Sequence, residues 1–506
     1  MKAPKTLWAW LGGAVALALL AGLLGCGSEP GLRDRYVAEK LVWKASKAVH
    51  AMRANPGLAT DEMRERVADI YGEIIDRFPP PDDASALSQA ELDVAAIAAR
   101  SRMELAEMAV QSEDTEEAVR LYDSVREGYS YDRDLAIEAS IALAEVTELD
   151  GRWEDAVAVY ERLMADWPPA QAQMGTPDAR ILRAPIRVAA GYVSRGDEVR
   201  GRDWFDRARD YYSDRADEWP GTRTAELAMS FRAETFLMEE RWGDAAAAYE
   251  ELDRDYGHDA NRPVIWLTLA DIYANKLNRT STARSYYLKV VESYPDDIAS
   301  ATAALALAEA EMARGEHETA RSRLEDVVER FAEDEAVRST AIGHLAFSYE
   351  SQGLWDSALA QLNALAREHP TTLYGLTALQ HVAEHYEELG EDDAARVALD
   401  RAADHYERVI RDDSSTPAEL AARSYLINTR LKQERWEDAA RVMVETAERF
   451  PNTQSSPNTM LQAADIYESR LADPEAAAKV LRSVVDLFPG TRAAAAAEGR
   501  LGEMGE

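Results

Sequence analysis

Pro263-Val-Ile-Trp266-Leu-Thr-Leu269-Ala270-Asp-Ile-Tyr273 opens the stretch that decides the fold, and Ala283 to Pro295 closes it. Trp266, Leu269, Ala270 and Tyr273 stand at the i, i+3, i+4, i+7 spacing of one helical face. After a polar break from Asn275 to Thr280 the period resumes with Ala283, Tyr287, Val290 and Val291, and it stops at Tyr294-Pro295, where proline cannot continue a helix. The stretch predicts two antiparallel helices, A and B. Small Ala270 and Ala283 let them approach closely, while Trp266, Tyr273 and Tyr287 fill the space around the crossing. One such hairpin leaves an apolar flank uncovered, so it needs a copy of itself alongside.

Copies run through most of the chain. Small residues at the helix A crossing recur at Ala106, Ala144, Ala189, Ala233, Ala270, Ala308, Ala346, Ala383 and Ala464, most often 37 or 38 residues apart, with a poorly matched unit around Ser424 to Leu431. Helix B repeats the register at Ala118, Ala156, Ala245, Ala283, Ala320, Ala358, Ala395, Ala439 and Ala477. The turn into helix B carries Trp153, Trp242, Trp355 or Trp436 three residues before its alanine, and three of these tryptophans are followed fifteen residues later by Pro168, Pro370 or Pro451. No stretch shows sustained β alternation. Residues 34–81 read as a degenerate first hairpin, 88–492 as the repeat array and 493–506 as a capping helix or tail. The Pro- and Gln-rich segment 168–177 is a candidate hinge, and Pro185 is placed at the start of a helix A.

The order small residue, aromatic, turn, alanine, aromatic and proline resembles the tetratricopeptide repeat (TPR). Ile342-x-x-Leu345-Ala346-x-x-Tyr349, with Ala358 nine residues beyond the tyrosine, is a close match. The resemblance implies an all-α, right-handed superhelical solenoid of about ten helical hairpins. The joints Trp219-Pro220-Gly-Thr222, Tyr294-Pro295-Asp-Asp297, Phe450-Pro451-Asn-Thr453 and Phe488-Pro489-Gly-Thr491 look like the repeat subclass of bacterial cell-envelope proteins, among them the β-barrel assembly lipoprotein and the Tol-Pal coordinator. The motif implies a scaffold that binds other proteins, without naming the client.

At the start, Lys2 and Lys5 precede an apolar run from Leu7 to Leu24 that ends in Leu23-Leu24-Gly25-Cys26. A basic region, an apolar region and small residues make a secretory signal. Its last four residues resemble the bacterial lipobox, whose cysteine is acylated and becomes the new N-terminus. That resemblance implies a signal peptide over 1–25, a lipid (palmitate) anchor on Cys26 and a tether over 26–33, with Gly27 in place of aspartate pointing to the outer membrane, facing the periplasm. The apolar run by itself also allows a membrane helix, since eighteen residues just span. Cys26 is the only cysteine, which excludes a disulfide within the chain.

The 506 residues carry 57 basic and 92 acidic side chains, a net −35 that would repel nucleic acid and argues equally against an anionic lipid surface. His381-Val-Ala-Glu384-His385 matches the H-x-x-E-H zinc-peptidase pattern, but it lies inside a well-phased repeat helix and no third ligand is recognisable. No Ser/His/Asp set, phosphate loop or CxxC motif occurs. The chain is therefore expected to be no enzyme and to need no cofactor, metal or small-molecule substrate.

The residue after the helix A alanine is Glu107, Glu145, Ala190, Glu234, Asp271, Glu309, Phe347, Glu384 and Asp465: seven of nine are acidic, where composition gives fewer than two. A step of about 100° turns this position away from helix B, and in the resembled fold it faces the concave groove. Glu148, Glu350, Glu387 and Glu468 lie on the same side. These carboxylates form either a solvated face or a groove for a partner's Lys/Arg-rich segment. The expected function is a non-enzymatic, lipid-anchored periplasmic scaffold for envelope proteins, in outer-membrane protein assembly or envelope organisation. The alternative is the TPR lipoprotein of an exopolysaccharide-export or cell-wall synthesis complex.

Overall fold

The computed structural model describes residues 30–54, 61–412 and 416–505; Cys26, the expected signal peptide and the first half of the tether lie outside the described residues. Two compact units divide at Tyr256 and Gly257. The first holds α1 (Leu32–Ala54), α2 (Asp61–Arg77), α3 (Gln89–Gln111), α4 (Thr115–Gly128), α5 (Arg133–Leu149), α6 (Trp153–Asp166), α7 (Pro177–Ser194), α8 (Glu198–Glu218), α9 (Arg223–Met238) and α10 (Trp242–Tyr256). The second holds α11 (Arg262–Asp271), α12 (Thr280–Ser293), α13 (Ile298–Ala313), α14 (His317–Arg330), α15 (Glu335–Glu350), α16 (Trp355–Glu368), α17 (Leu373–Glu388), α18 (Asp392–Asp412), α19 (Thr416–Lys432), α20 (Trp436–Arg449), α21 (Ser456–Ser469), α22 (Pro474–Leu487) and α23 (Arg492–Met504). Among the described residues no strand occurs. From α3 onward the odd helices are A and the even helices are B.

Each crossing follows the predicted chemistry. Ala106, Ala144, Ala189, Ala233, Ala270, Ala308, Ala383 and Ala464 are wholly buried, as are Ala118, Ala156, Ala245, Ala320, Ala358, Ala439 and Ala477 opposite them. The alanine of helix A stands nine residues before helix B begins in most hairpins, as Ala346 does before Trp355. By that register the poorly matched unit places Ile427, buried, nine residues before Trp436. Ala270 stands ten before Thr280, and the extra residue is absorbed by a π-helical turn over Ile272–Lys276.

Every turn from A to B has one left-handed residue two positions before helix B. Glycine supplies it at Gly151, Gly196, Gly315, Gly353 and Gly390, whereas Glu113, Glu240, Asn278, Glu434 and Ala472 take the same backbone with a side chain. The joints from B to A are punctuated differently. Proline ends helix B, and Thr222, Asp297 and Thr491 then accept backbone N–H bonds as the N-caps of α9, α13 and α23. The tryptophan at the head of α6 and of α16 locks its hairpin to the next. Trp153 lies edge-on to Tyr192 of α7, and Trp355 stacks on His385 of α17 at 3.4 Å.

One expectation is corrected. Helix α7 starts at Pro177 with Thr176 as its cap, so Pro177 holds the first-turn place and Pro185 sits in the helix interior, where it removes one ladder bond. The loop before α7, a candidate hinge by composition, is pinned on both sides. Gln171 donates its N–H to Asp178 at 2.9 Å, Ala172 donates to the Thr224 hydroxyl at 2.9 Å, and that hydroxyl donates to the Ala170 carbonyl at 3.1 Å. At the N-terminus, Ala38, Leu41 and Ala45 of α1 pack against Val67, Tyr71 and Ile74 of α2 and Val94 of α3.

Candidate partner-binding face of the A helices

Successive A helices touch in both units, α3 with α5, α5 with α7 and α7 with α9, then α11 through α19 in sequence and α21 with α23; no two B helices come as close among the described residues. The A helices therefore form the inner side of each array. On that side the residue after the buried alanine is exposed or half-buried at Glu107, Glu145, Glu234, Asp271, Glu309, Glu384 and Asp465.

Basic side chains of neighbouring A helices already engage most of these carboxylates. Arg187 of α7 bridges Glu145 at 2.9 Å and Glu148 at 3.0 Å on α5, and Arg183 reaches Glu234 of α9 at 3.4 Å. In the second unit His344 lies 3.6 Å from Glu309, Lys432 lies 3.5 Å from Glu384 and 3.0 Å from Glu387, and Arg500 lies 2.7 Å from Asp465 and 2.8 Å from Glu468. The face is thus a ladder in which acid on one A helix meets base on the next. Composition could not show this, because Arg187 lies two residues before its alanine and Arg500 three after Ala497, so the cations share no register.

Tyrosines of the B helices underlie the same carboxylates. The Tyr160 hydroxyl donates to Glu148 at 2.8 Å and the Tyr287 hydroxyl to Asp271 at 2.5 Å. Burial first, and then the charges of Glu107 and Glu145, push the Tyr122 hydroxyl up to about 12. Burial and Glu234 do the same to Tyr249, also to about 12. These hydroxyls stay protonated and remain donors. The sequence signal is a tyrosine four residues after the helix B alanine, at Tyr122, Tyr160, Tyr249 and Tyr287.

His381 and His385 do not close on Glu384. Both turn to Glu350 of the preceding A helix, His381 at 2.7 Å and His385 at 3.2 Å, while Glu384 accepts a bond from Gln380 at 2.8 Å. A zinc peptidase would need both rings on one ion with Glu384 facing its water. Here the rings tie α17 to α15, and no group of three metal-ligating side chains occurs among the described residues.

Phe347 breaks the acidic series with an apolar side chain that is 59% exposed. It borders a notch of about 400 Å³ shared with Leu362, Tyr374, Gln380, His381 and Tyr425. The Tyr374 ring lies directly on Gly343, where a Cβ would stand 2.2 Å from it, so only glycine leaves room for this wall.

Tetratricopeptide-repeat family models match residues 139–171 and, with a second model, 266–297, 344–372 and 458–491. No curated protein matches the chain. Among solved structures, yeast Tom70 aligns over 93% of this chain and 97% of its own at 10% identity and a TM-score of 0.35. A tetratricopeptide repeat protein from Parabacteroides merdae aligns over 56% and 98% at 15% identity with a TM-score of 0.31. The apo quorum sensor NprR from B. thuringiensis aligns over 71% and 100% at 14% identity with a TM-score of 0.32. The chain is all-α, with tetratricopeptide repeats matched in four stretches and further helical hairpins between them.

Proposed function

We propose that this chain is a lipid-anchored scaffold of a bacterial envelope, without catalytic activity, that receives an extended Lys/Arg-rich segment of a partner protein along its A-helix face. The observation that carries the reading is the carboxylate next to the buried alanine on most A helices, at Asp271, Glu309, Glu384 and Asp465 of α11, α13, α17 and α21 in the second unit. An incoming lysine or arginine replaces an internal cation such as Lys432 or Arg500. Each exchange trades one solvent-exposed ion pair, worth about 0–1 kcal/mol, for another. Affinity must then come from several exchanges along one segment, together with an apolar side chain seated against Phe347.

The test is capture of envelope proteins from detergent extracts. The wild type should retain its partner, lose it steeply as salt rises, and lose it entirely in the variant Asp271→Lys, Glu309→Lys, Glu384→Lys with the helical spectrum intact. Binding indifferent to both salt and the triple reversal would mean that the carboxylates are only a solvated face. Recovery of polysaccharide-export or wall-synthesis proteins would move the reading to the alternative complex. For the anchor, Cys26→Ala should release the chain to the soluble fraction or leave an unprocessed precursor. Membrane retention at the mature size would remove the lipid from the proposal.

A further inference from the structure

The outward face of α1 differs in kind from the rest of the molecule. Between Leu32 and Ala54 six Lys or Arg stand against two Asp or Glu, in a chain whose net charge is −35. Lys40, Lys44 and Lys47 are three of only nine lysines, and the next is Lys276. All three are exposed and have no carboxylate partner among the described residues, although Arg35 beside them pairs with Glu39 at 2.9 Å and Asp93 at 2.6 Å.

Aromatic side chains share that face. Ala38, Leu41 and Ala45 bury the opposite side of α1. At about 100° per residue, Leu32, Tyr36, Lys40, Trp43 and Lys47 fall on one outward arc. Leu32, Tyr36 and Trp43 are 43%, 54% and 59% exposed, and the Lys47 ammonium lies 4.6 Å over the Trp43 ring. Tryptophan and tyrosine interleaved with unpaired lysine is the composition of a helix lying at the boundary of lipid headgroups and acyl chains.

We propose that this face of α1 rests on an anionic phospholipid surface, with Tyr36 and Trp43 at headgroup depth and Lys40, Lys44 and Lys47 on the phosphates. The occupant follows from position as well as charge. The apolar run ends at Leu24, eight residues before Leu32, so α1 starts within about 28 Å of whatever apolar phase that run enters. The net charge of −35, which argues against an anionic lipid surface for the chain as a whole, weighs less at this face, because charges further than about 8 Å are largely screened at physiological salt and the lysines set the local attraction. The contact fixes how the first hairpin stands on the membrane, and it is independent of what the A-helix face binds.

The test uses the full chain with Cys26→Ser and Tyr36→Cys, labelled at position 36 with an environment-sensitive fluorophore and reconstituted through its apolar run into two kinds of vesicle. On phosphatidylcholine containing phosphatidylglycerol the label should shift to the blue and be shielded from a neutral aqueous quencher; on phosphatidylcholine alone it should stay open. Each basic residue near an anionic surface contributes roughly fivefold to binding, so Lys40→Glu, Lys44→Glu, Lys47→Glu together should lower the shielded population by about a hundredfold or more. A label equally open on both vesicles, or shielding that survives the triple reversal, would overturn the proposal. Shielding that is lost on diluting the protein at constant lipid would do so too, by showing that a second copy covers the face.

Discussion

Single residues set the geometry of each turn, and not all of them suit it. The place two residues before helix B needs φ near +50° to +80°, which glycine takes freely and other residues adopt at a cost of about 1–2 kcal/mol. Glu240→Gly and Glu434→Gly should therefore each raise stability by about 0.5–1 kcal/mol, once glycine's larger freedom in the unfolded chain is subtracted. Gly353→Ala should lower it by a similar amount; urea midpoints of the three variants check the sign. His405 makes a second residue-level prediction. Burial, first, and the neighbouring Arg408 hold its imidazole down to about 4, so the folded chain keeps it neutral while the unfolded chain takes up a proton below about 6.5. Its contribution is thus fully present above that pH and is lost as pH falls through the window to about 4, at up to about 1.4 kcal/mol per pH unit. His405→Gln should show a shallower fall in melting temperature across that window than the wild type. Equal slopes would mean that the ring is not shielded as the structure has it.

At the scale of the hairpin, α13 and α14 depart from their neighbours. Three residues after Ala308, where Ala346 and Ala383 are followed by Tyr349 and Tyr386, stands Glu311, wholly buried and bonded to Arg323 of α14 at 2.7 and 3.0 Å. Removing Arg323 leaves the buried carboxylate alone, so Arg323→Ala should cost about 3–5 kcal/mol. The double change Glu311→Met, Arg323→Leu should recover most of that loss, measured by chemical denaturation. Pairs of this kind also explain what the sequence showed and what it hid. Buried alanines, turn tryptophans and proline stops are local and periodic, so hairpins could be read directly from spacing. Ile427 escaped because a β-branched residue holds the small place after an unusually long α18. Pro185 misled because Pro177, eight residues earlier, already serves the helix start. The ladder of Arg187, Lys432 and Arg500 across the A-helix face was invisible because it arises only between helices distant in sequence, with no shared register. The carboxylates it engages, by contrast, sit at one fixed step from a periodic alanine.

At the scale of the whole chain, cohesion within each unit comes from neighbours: a helix touches the one before it, the one after it and, along most of the A side, the next A helix. Stability is then a sum of hairpin and interface terms, so damage should remain local. Ala346 is the position to test this, because it lies in the core of the second unit beside Leu362 and Leu376. Ala346→Trp forces α15 away from α16 and should cost about 1–3 kcal/mol or more by overpacking. If the array behaves as a chain of neighbours, amide exchange should accelerate in α13 to α18, where interfaces with α15 and its partners are strained, and stay near wild type in α3 to α8. Equal acceleration in both units would mean that the 506 residues unfold as one cooperative body. That outcome would also alter the test of the partner-binding face. In a locally coupled array the triple reversal at Asp271, Glu309 and Glu384 perturbs only the helices that carry it, so loss of capture there reports on the face itself.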